Sequence, residues 1–277
     1  VYFGGIMLAV IKGAGDLATG IAQRLRLANI KVAMTDIEKP SAIRRTAAFS
    51  EAIYNGTASV EGFTAVRADN AEHAERILAE GNVPVLIDPT GEEALKLNPD
   101  VVIDAIIAKR NTGTSISDAR LVLGVGPGFT VGEDCHAAIE TKRGHHLGRV
   151  YYAKGQSPIP NTGIPGVIGG FGRERVIHCP AKGILRNVRK ITDIVSRGET
   201  IALVETENGT VPVEATLDGI LRGLIRDGYP VNVGFKMADI DPRAEEYNNC
   251  FTISDKARCI AGGVLEAILQ RKGELGL

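Results

Sequence analysis

Residues 8–18 read LAVIKGAGDLA, and this stretch decides the fold of the first half of the chain. A short apolar run, 8–12, ends at Gly13-Ala14-Gly15, and a helical stripe of Leu17, Ile21, Leu25 and Ala28 follows. Next comes KVAMTD at 31–36, a second strand that ends in an acid. Strand, G-x-G-x-x-A, helix, strand, acid is the dinucleotide-binding signature. The first glycine permits a tight turn, the second lets backbone approach a pyrophosphate, and the small Ala18 lets helix and strand pack closely. A phosphate at the helix N-terminus meets unpaired N–H groups and the positive end of the dipole. Asp36 stands where a carboxylate binds ribose hydroxyls. The expected nucleotide residues are Gly13, Ala14, Gly15, Asp16 and Asp36. Asp16 has two readings: a carboxylate that repels a diphosphate, or a helix cap.

Working outward, the βα rhythm continues. TAVRA (64–68), VPVLID (83–88), VVIDAII (101–107) and the start of LVLGVGPGF (121–129) read as strands, and Asn70 opens a helix. The expectation is an α/β chain with a Rossmann-like, mostly parallel sheet over residues 7–172. Arg44 and Arg45 read either as a solvated helix end or as a clamp for an anion beside Asp36.

The last hundred residues hold a gapless repeat. GILR at 183–186 overlays GILR at 219–222, and the same offset brings Val195 onto Val231, Gly198 onto Gly234 and Ala202 onto Ala238. Each copy reads as strand, GILR turn, strand, V-x-x-G, strand. One such copy cannot bury its own apolar face. Residues 173–243 are therefore expected to form a small all-β barrel-sandwich of the biotinyl or lipoyl type, unmodified because Asn208-Gly209 occupies the tip and no lysine is present. The alternative is a chance duplication of turn-rich β segments. Residues 244–277 are expected to supply a helix, capped by Ser254 and striped by Ala257, Ile260, Ala261, Val264, Leu265, Ile268 and Leu269, that packs back on the first domain. Asp239, Asp241 and Arg243 read as a solvated turn, or as a second polar site.

Residues 124–170 hold the densest unusual chemistry. The glycines of 124–132 could line a pocket with backbone N–H groups. Cys135, His136, Glu140, Arg143, His145 and His146 then crowd together. A thiolate beside His136 and Arg143 would be a nucleophile or a soft-element ligand, which makes Cys135, His136 and Arg143 the expected catalytic set. The plainer alternative is a buried cysteine. No spacing suits zinc, so no metal site is expected. PNTGIPG (160–166) reads as a rigid loop.

A net charge of −1 gives no electrostatic footprint for nucleic acid. No apolar run approaches the roughly 20 residues that cross a bilayer. Four cysteines without C-x-x-C pairing suggest free thiols in a reducing cytoplasm. The opening residues lack the features of a signal peptide, and Met7 is read as a natural start with a cloning remnant before it.

Several stretches together resemble the accessory proteins that mature selenium-dependent molybdenum hydroxylases. These are GAGDLATGIAQRL, EKPSAIRRTAAFSEAIYNG, GVGPGF-x-x-GEDC, IET-x-RGHHLGRV, NTGIPG and KMADIDPR, in this order from about Leu8 to Leu269. The resemblance implies a cytoplasmic accessory role with a molybdenum hydroxylase as partner, and it implies no catalytic residues. The cofactor expected on the nucleotide residues is NAD(P) or a molybdenum cofactor dinucleotide, which share diphosphate and ribose handles. Two other functions stay open: an NAD-dependent oxidoreductase on a small substrate, and a non-catalytic nucleotide-sensing module that recruits a partner. No nucleic acid or membrane partner is expected, and a homo-oligomer is compatible with the sequence.

Overall fold

A computed structural model describes residues 7–160, 166–167, 169–271 and 273. The chain forms two compact units. The first comprises Val1–Pro40, Ala48–Thr162 and Ile253–Leu277, and the second Ser41–Ala47 and Gly163–Thr252. The expected boundaries at 172/173 and 243/244 did not include the early segment 41–47 in the second unit.

The first unit runs β1 (Leu8–Lys12), α1 (Asp16–Leu27), β2 (Lys31–Asp36), α2 (Glu51–Asn55), β3 (Thr57–Val60), β4 (Phe63–Ala68), α3 (Ala71–Ala79), β5 (Val83–Ile87), α4 (Glu92–Leu95), β6 (Val101–Asp104), β7 (Leu121–Val125), β8 (Ala137–Ile139) and β9 (Val150–Tyr151). It ends with the last helix of the chain, Asp255–Gln270, here α5. Among the described residues its strands form one nine-stranded sheet, ordered β3-β4-β5-β2-β1-β6-β7-β8-β9. The mostly parallel Rossmann-like sheet is thus corrected to a mixed sheet. The β3–β4 hairpin turns at Glu61 and Gly62, both at positive φ, and β9 folds back antiparallel on β8. The centre, from β4 to β8, is parallel; β6, β7 and β8 are wholly buried, β1, β2 and β5 mostly so, and β4 only at Ala65 and Ala68.

Local capping explains the helix starts. The Asn70 side chain accepts the His73 N–H at 2.8 Å, and Ser254 Oγ accepts the Ala257 N–H at 3.2 Å. Helix α5 packs on α1, and Gly20 sets the closeness of the crossing: a Cβ there would lie 2.8 Å from Cβ of Ala257. Ile21 and Leu25 share one buried cluster with Ile260, Val264 and Ile268. Leu269, assigned to the stripe by its spacing, is exposed instead.

The second unit contains β10 (Val176–His178), β11 (Gly183–Asn187), β12 (Ile194–Val195), β13 (Thr200–Thr206), β14 (Gly209–Glu214), β15 (Gly219–Leu224), β16 (Pro230–Val231) and β17 (Lys236–Asp241). They form two four-stranded sheets, β10-β17-β15-β12 and β14-β13-β11-β16. This corrects the barrel-sandwich expectation: the described strands make two antiparallel four-stranded sheets. The two-residue strands β12 and β16 are too short to carry pairing further. The GILR segments are strands, not turns. Their pairings keep the sequence offset: Ile184 faces Glu205 as Ile220 faces Asp241, and Gly183 faces Val231 as Gly219 faces Val195. Each GILR strand therefore pairs with its own copy's long strand and with the other copy's short one.

Asp239 and Asp241 lie in β17 and are buried, which corrects the solvated-turn reading. Arg175 donates to both Asp239 oxygens at 3.1 and 3.2 Å. Arg222 donates to Asp241 at 3.1 Å, and Arg243 donates to both its oxygens at 2.9 and 2.8 Å. Burial alone would raise the Asp241 carboxyl, but its hydrogen bonds from Arg243 and the charges of Arg243 and Arg222 outweigh it and hold the group low. Arg44 is likewise buried. Its guanidinium donates to the Asn249 and Thr252 carbonyls at 2.8 Å, and Arg45 Nε donates to the Leu224 carbonyl at 2.7 Å. These two arginines strap the second unit's backbone, which corrects the reading as a solvated helix end.

The repeat has a direct test. A Cβ at Gly183 would sit 2.0 Å from the Glu205 carbonyl oxygen, and one at Gly219 would sit 2.2 Å from that of Asp241. Gly183→Ala and Gly219→Ala should each destabilise the fold by roughly 1–3 kcal/mol in urea unfolding. A variant as stable as the parent would contradict the register.

Candidate functional site

The parallel strands end together on one rim of the first unit's sheet. On it stand Lys12 (β1), Asp36 (β2), Asp88 (after β5) and Asp104 (β6). The order reverses at β1: β2 lies on one side and β6 on the other, which makes a topological switch point between β1 and β6.

The glycine turn sits at that point. Gly13 has φ +96°, and a Cβ there would lie 2.9 Å from the Ala105 carbonyl oxygen and 3.1 Å from Cα of Ile106. This position therefore excludes other residues on two counts. Gly15 is the N-cap of α1, in extended backbone, and lends no side-chain acceptor. Among the described residues, a Cβ on Gly15 would meet no heavy atom within 4 Å apart from its two chain neighbours. The first-turn N–H groups of an α-helix have no intrahelical acceptors, and Gly15 stands at that end of α1. Ala18 is buried under the turn as the third small position requires. Asp16 is the first residue of α1, one place past Gly15, and its carboxylate stands in the first turn.

Asp36 binds the turn from β2. Its Oδ2 accepts the Ala14 N–H at 3.0 Å and its Oδ1 accepts the Ile37 N–H at 2.8 Å. Burial pushes the Asp36 carboxyl up from the ordinary aspartate value, and the two backbone N–H groups pull it partly back. Each oxygen retains a lone pair for a hydroxyl. Gly13, Ala14, Gly15, Asp16 and Asp36 are thus brought together.

Cys135, His136 and Arg143 are not. Cys135 is fully buried, with Sγ 4.0 Å from the Thr130 carbonyl. Burial, with Asp134 and Asp104 adding to it, pushes its thiol up to about 12, opposite to the direction a nucleophile needs. His136 is fixed to β7: its Nδ1 accepts the Val122 N–H at 2.9 Å. Arg143 forms a two-bond pair with Asp255 at 2.6 and 2.9 Å. His145 and His146 are exposed. Glu140 is buried and accepts from the Lys142 and Ile159 N–H groups and from the Tyr151 hydroxyl, so it organises its own loop. The glycines of 124–132 admit protein, not ligand: a Cβ at Gly124 would strike Phe129, and one at Gly128 would lie 2.3 Å from Cα of Arg110. The NTGIP of the central block lies outside the described residues.

Reading the sequence missed Lys12, Asp104, Thr114 and Asp118. Lys12 Nζ donates to Thr114 Oγ1 at 3.1 Å and to Asp118 Oδ2 at 2.9 Å, and the Thr114 hydroxyl donates to Asp104 Oδ2 at 2.7 Å. Burial raises the Asp104 carboxyl, against the opposing effects of Thr114, the Ile106 N–H and Lys12. A lysine ending an apolar strand was the available signal, since lysine is seldom buried without a partner.

No family model matches the chain. It is 47% identical over 266 residues to the uncharacterized protein YqeB of Escherichia coli (strain K12), covering 96% of this chain and 48% of that protein. The chain therefore spans about half the length of this relative. Among solved structures it is similar to the ectoine utilization protein EutE (DoeB) of Ruegeria pomeroyi, at 11% identity, 86% coverage of each chain and a TM-score of 0.27. A succinylglutamate desuccinylase/aspartoacylase of Rhodobacter sphaeroides gives 14% identity, 86% coverage of each chain and a TM-score of 0.27. Such TM-scores define no shared fold. The barrel-sandwich expectation is corrected by the two antiparallel sheets of the second unit, and none of these relatives bears on maturation of a molybdenum hydroxylase. Among the described residues no helix is long and apolar enough to cross a membrane.

The thiols separate two readings of the central block. Cys259 is exposed and the other three cysteines are buried. A thiol reagent at neutral pH should label Cys259 first, lose that phase in Cys259→Ser, and reach Cys135 only after unfolding. Between the ordinary thiol value of 9.0 and about 12, the unfolded chain gives up the Cys135 proton while the folded one keeps it. Stability should therefore fall as pH rises through that window. Rapid labelling of Cys135 in the native protein would restore the nucleophile reading.

Proposed function

We propose that the first unit binds a dinucleotide of the NAD(P) class at the carboxyl ends of its parallel strands. The observation that carries this reading is the cradle at Gly15. It is an open position at the N-terminus of a twelve-residue helix, beside a carboxylate already tied to the same turn. The α1 N–H groups would take a phosphate and the free lone pairs of Asp36 would take ribose hydroxyls. No described group on this rim is an activated nucleophile, so the reading is one of binding and presentation and leaves turnover aside. Four free cysteines, with no disulfide, support a cytoplasmic setting for this role.

Gly15→Val places a branched side chain where the diphosphate would lie and should abolish NAD binding, measured by calorimetry, without unfolding the protein. Asp36→Ala should weaken NAD by roughly 1.5–3 kcal/mol, the range for hydrogen bonds to a charged group. Only the ionised carboxylate can accept both hydroxyls. Because burial raises Asp36, affinity should begin to fall on acidification at a higher pH than for an ordinary aspartate. Unchanged affinity in both variants rejects the site.

A further inference from the structure

Lys12 and Asp104, the last residues of β1 and β6, are register partners across the switch point. Both are buried, and the Thr114 hydroxyl bridges them. The chain between Asp104 and Asp118 is thereby fastened to the floor of the crevice. Asp104 Oδ1 accepts the Ile106 N–H at 3.1 Å, and Asp118 accepts both from Lys12 and from the Ser115 N–H. In the middle, Asn111 Nδ2 donates to the Thr114 carbonyl and to Asp134 Oδ1, both at 2.8 Å. Gly128 makes room for the backbone of Arg110, and Gly13 for that of Ala105 and Ile106.

Within this frame two residues with side chains hold left-handed backbone, Ile107 at φ +61° and Lys109 at φ +66°. A β-branched residue in that region is an outlier, and such strain persists only where the surroundings impose it. Lys109 and its neighbour Arg110 are both exposed. The loop leaves β6 directly against the Gly13 turn, so it borders the same crevice as Gly15 and Asp36.

We propose that residues 105–118 form the opposing wall of this crevice, and that Lys109 and Arg110 bind the phosphate of a diphosphate-bridged ligand that the α1 N-terminus does not hold. Lys12 is then a positioning residue: it touches no ligand and fixes the wall through Thr114 and Asp118. The inference rests on the dinucleotide reading and adds what that reading lacks, a pair of cations for the second phosphate.

Calorimetry with adenosine, ADP and NAD on the full chain tests it. Lys109→Gly with Arg110→Gln should leave adenosine affinity unchanged and weaken ADP and NAD about tenfold or more, with a shallower dependence on salt. Lys109→Gly alone should melt at or above the parent temperature, because glycine relieves the left-handed strain, while still losing ADP. A purely structural lysine would not separate those two readouts. Lys12→Met should expose 105–118 to proteolysis and show the same selective loss. If the double variant binds ADP and NAD like the parent while Gly15→Val binds neither, the wall is wrong and the dinucleotide site stands. Equal loss of adenosine also overturns it. If the parent binds none of the three probes, both readings fall.

Discussion

The first unit depends on the left-handed turn at Gly13. Its φ of +96° ends β1 and aims α1, and the absence of a Cβ lets the Ala105–Ile106 backbone pass against it. Any side chain there would have to displace backbone, which cannot yield by changing rotamer. From this contact the rest follows. β6 must end beside β1, Lys12 must face Asp104, and the chain leaving β6 must cross the end of the glycine turn. The low-dielectric floor beneath needs its charges satisfied, and Lys12, Thr114, Asp118 and Asp104 satisfy one another.

Much of this unit was legible in the sequence because its signals are local. The turn at 13–15, the acid at 36 and the caps Asn70 and Ser254 each depend on neighbours within a few residues, and each stands where its pattern placed it; the α1 stripe holds at Ile21 and Leu25, whereas Ala28 lies past the helix end and is exposed. The mixed edges were not legible. Whether β9 pairs antiparallel depends on how its chain returns, and a two-residue strand carries no periodicity.

The central block shows the opposite failure. Cys135, His136 and Arg143 are close in sequence but are held by different partners: Cys135 is buried beside the Thr130 carbonyl, His136 accepts from β7, and Arg143 reaches across to Asp255. The partners that matter on the rim are far apart in sequence, Lys12 with Thr114 and Asp118, and only the parallel register of β1 and β6 brings them together. The glycines of 124–132 misled for a related reason. Close approach of backbone is what glycine allows, and here the approaching group is the protein's own Arg110.

Helix α5 lies at the far end of the chain, yet it completes the hydrophobic layer begun by α1, and the whole second unit is inserted between them in sequence. During synthesis the first unit therefore waits. The sheet strands emerge early, but one face of α1 stays wet until some two hundred residues later, when Ile260, Val264 and Ile268 leave the ribosome. The second unit faces no such delay once Ser41–Ala47 is at hand, because its repeat pairs with itself. The unit begun before the other is completed after it.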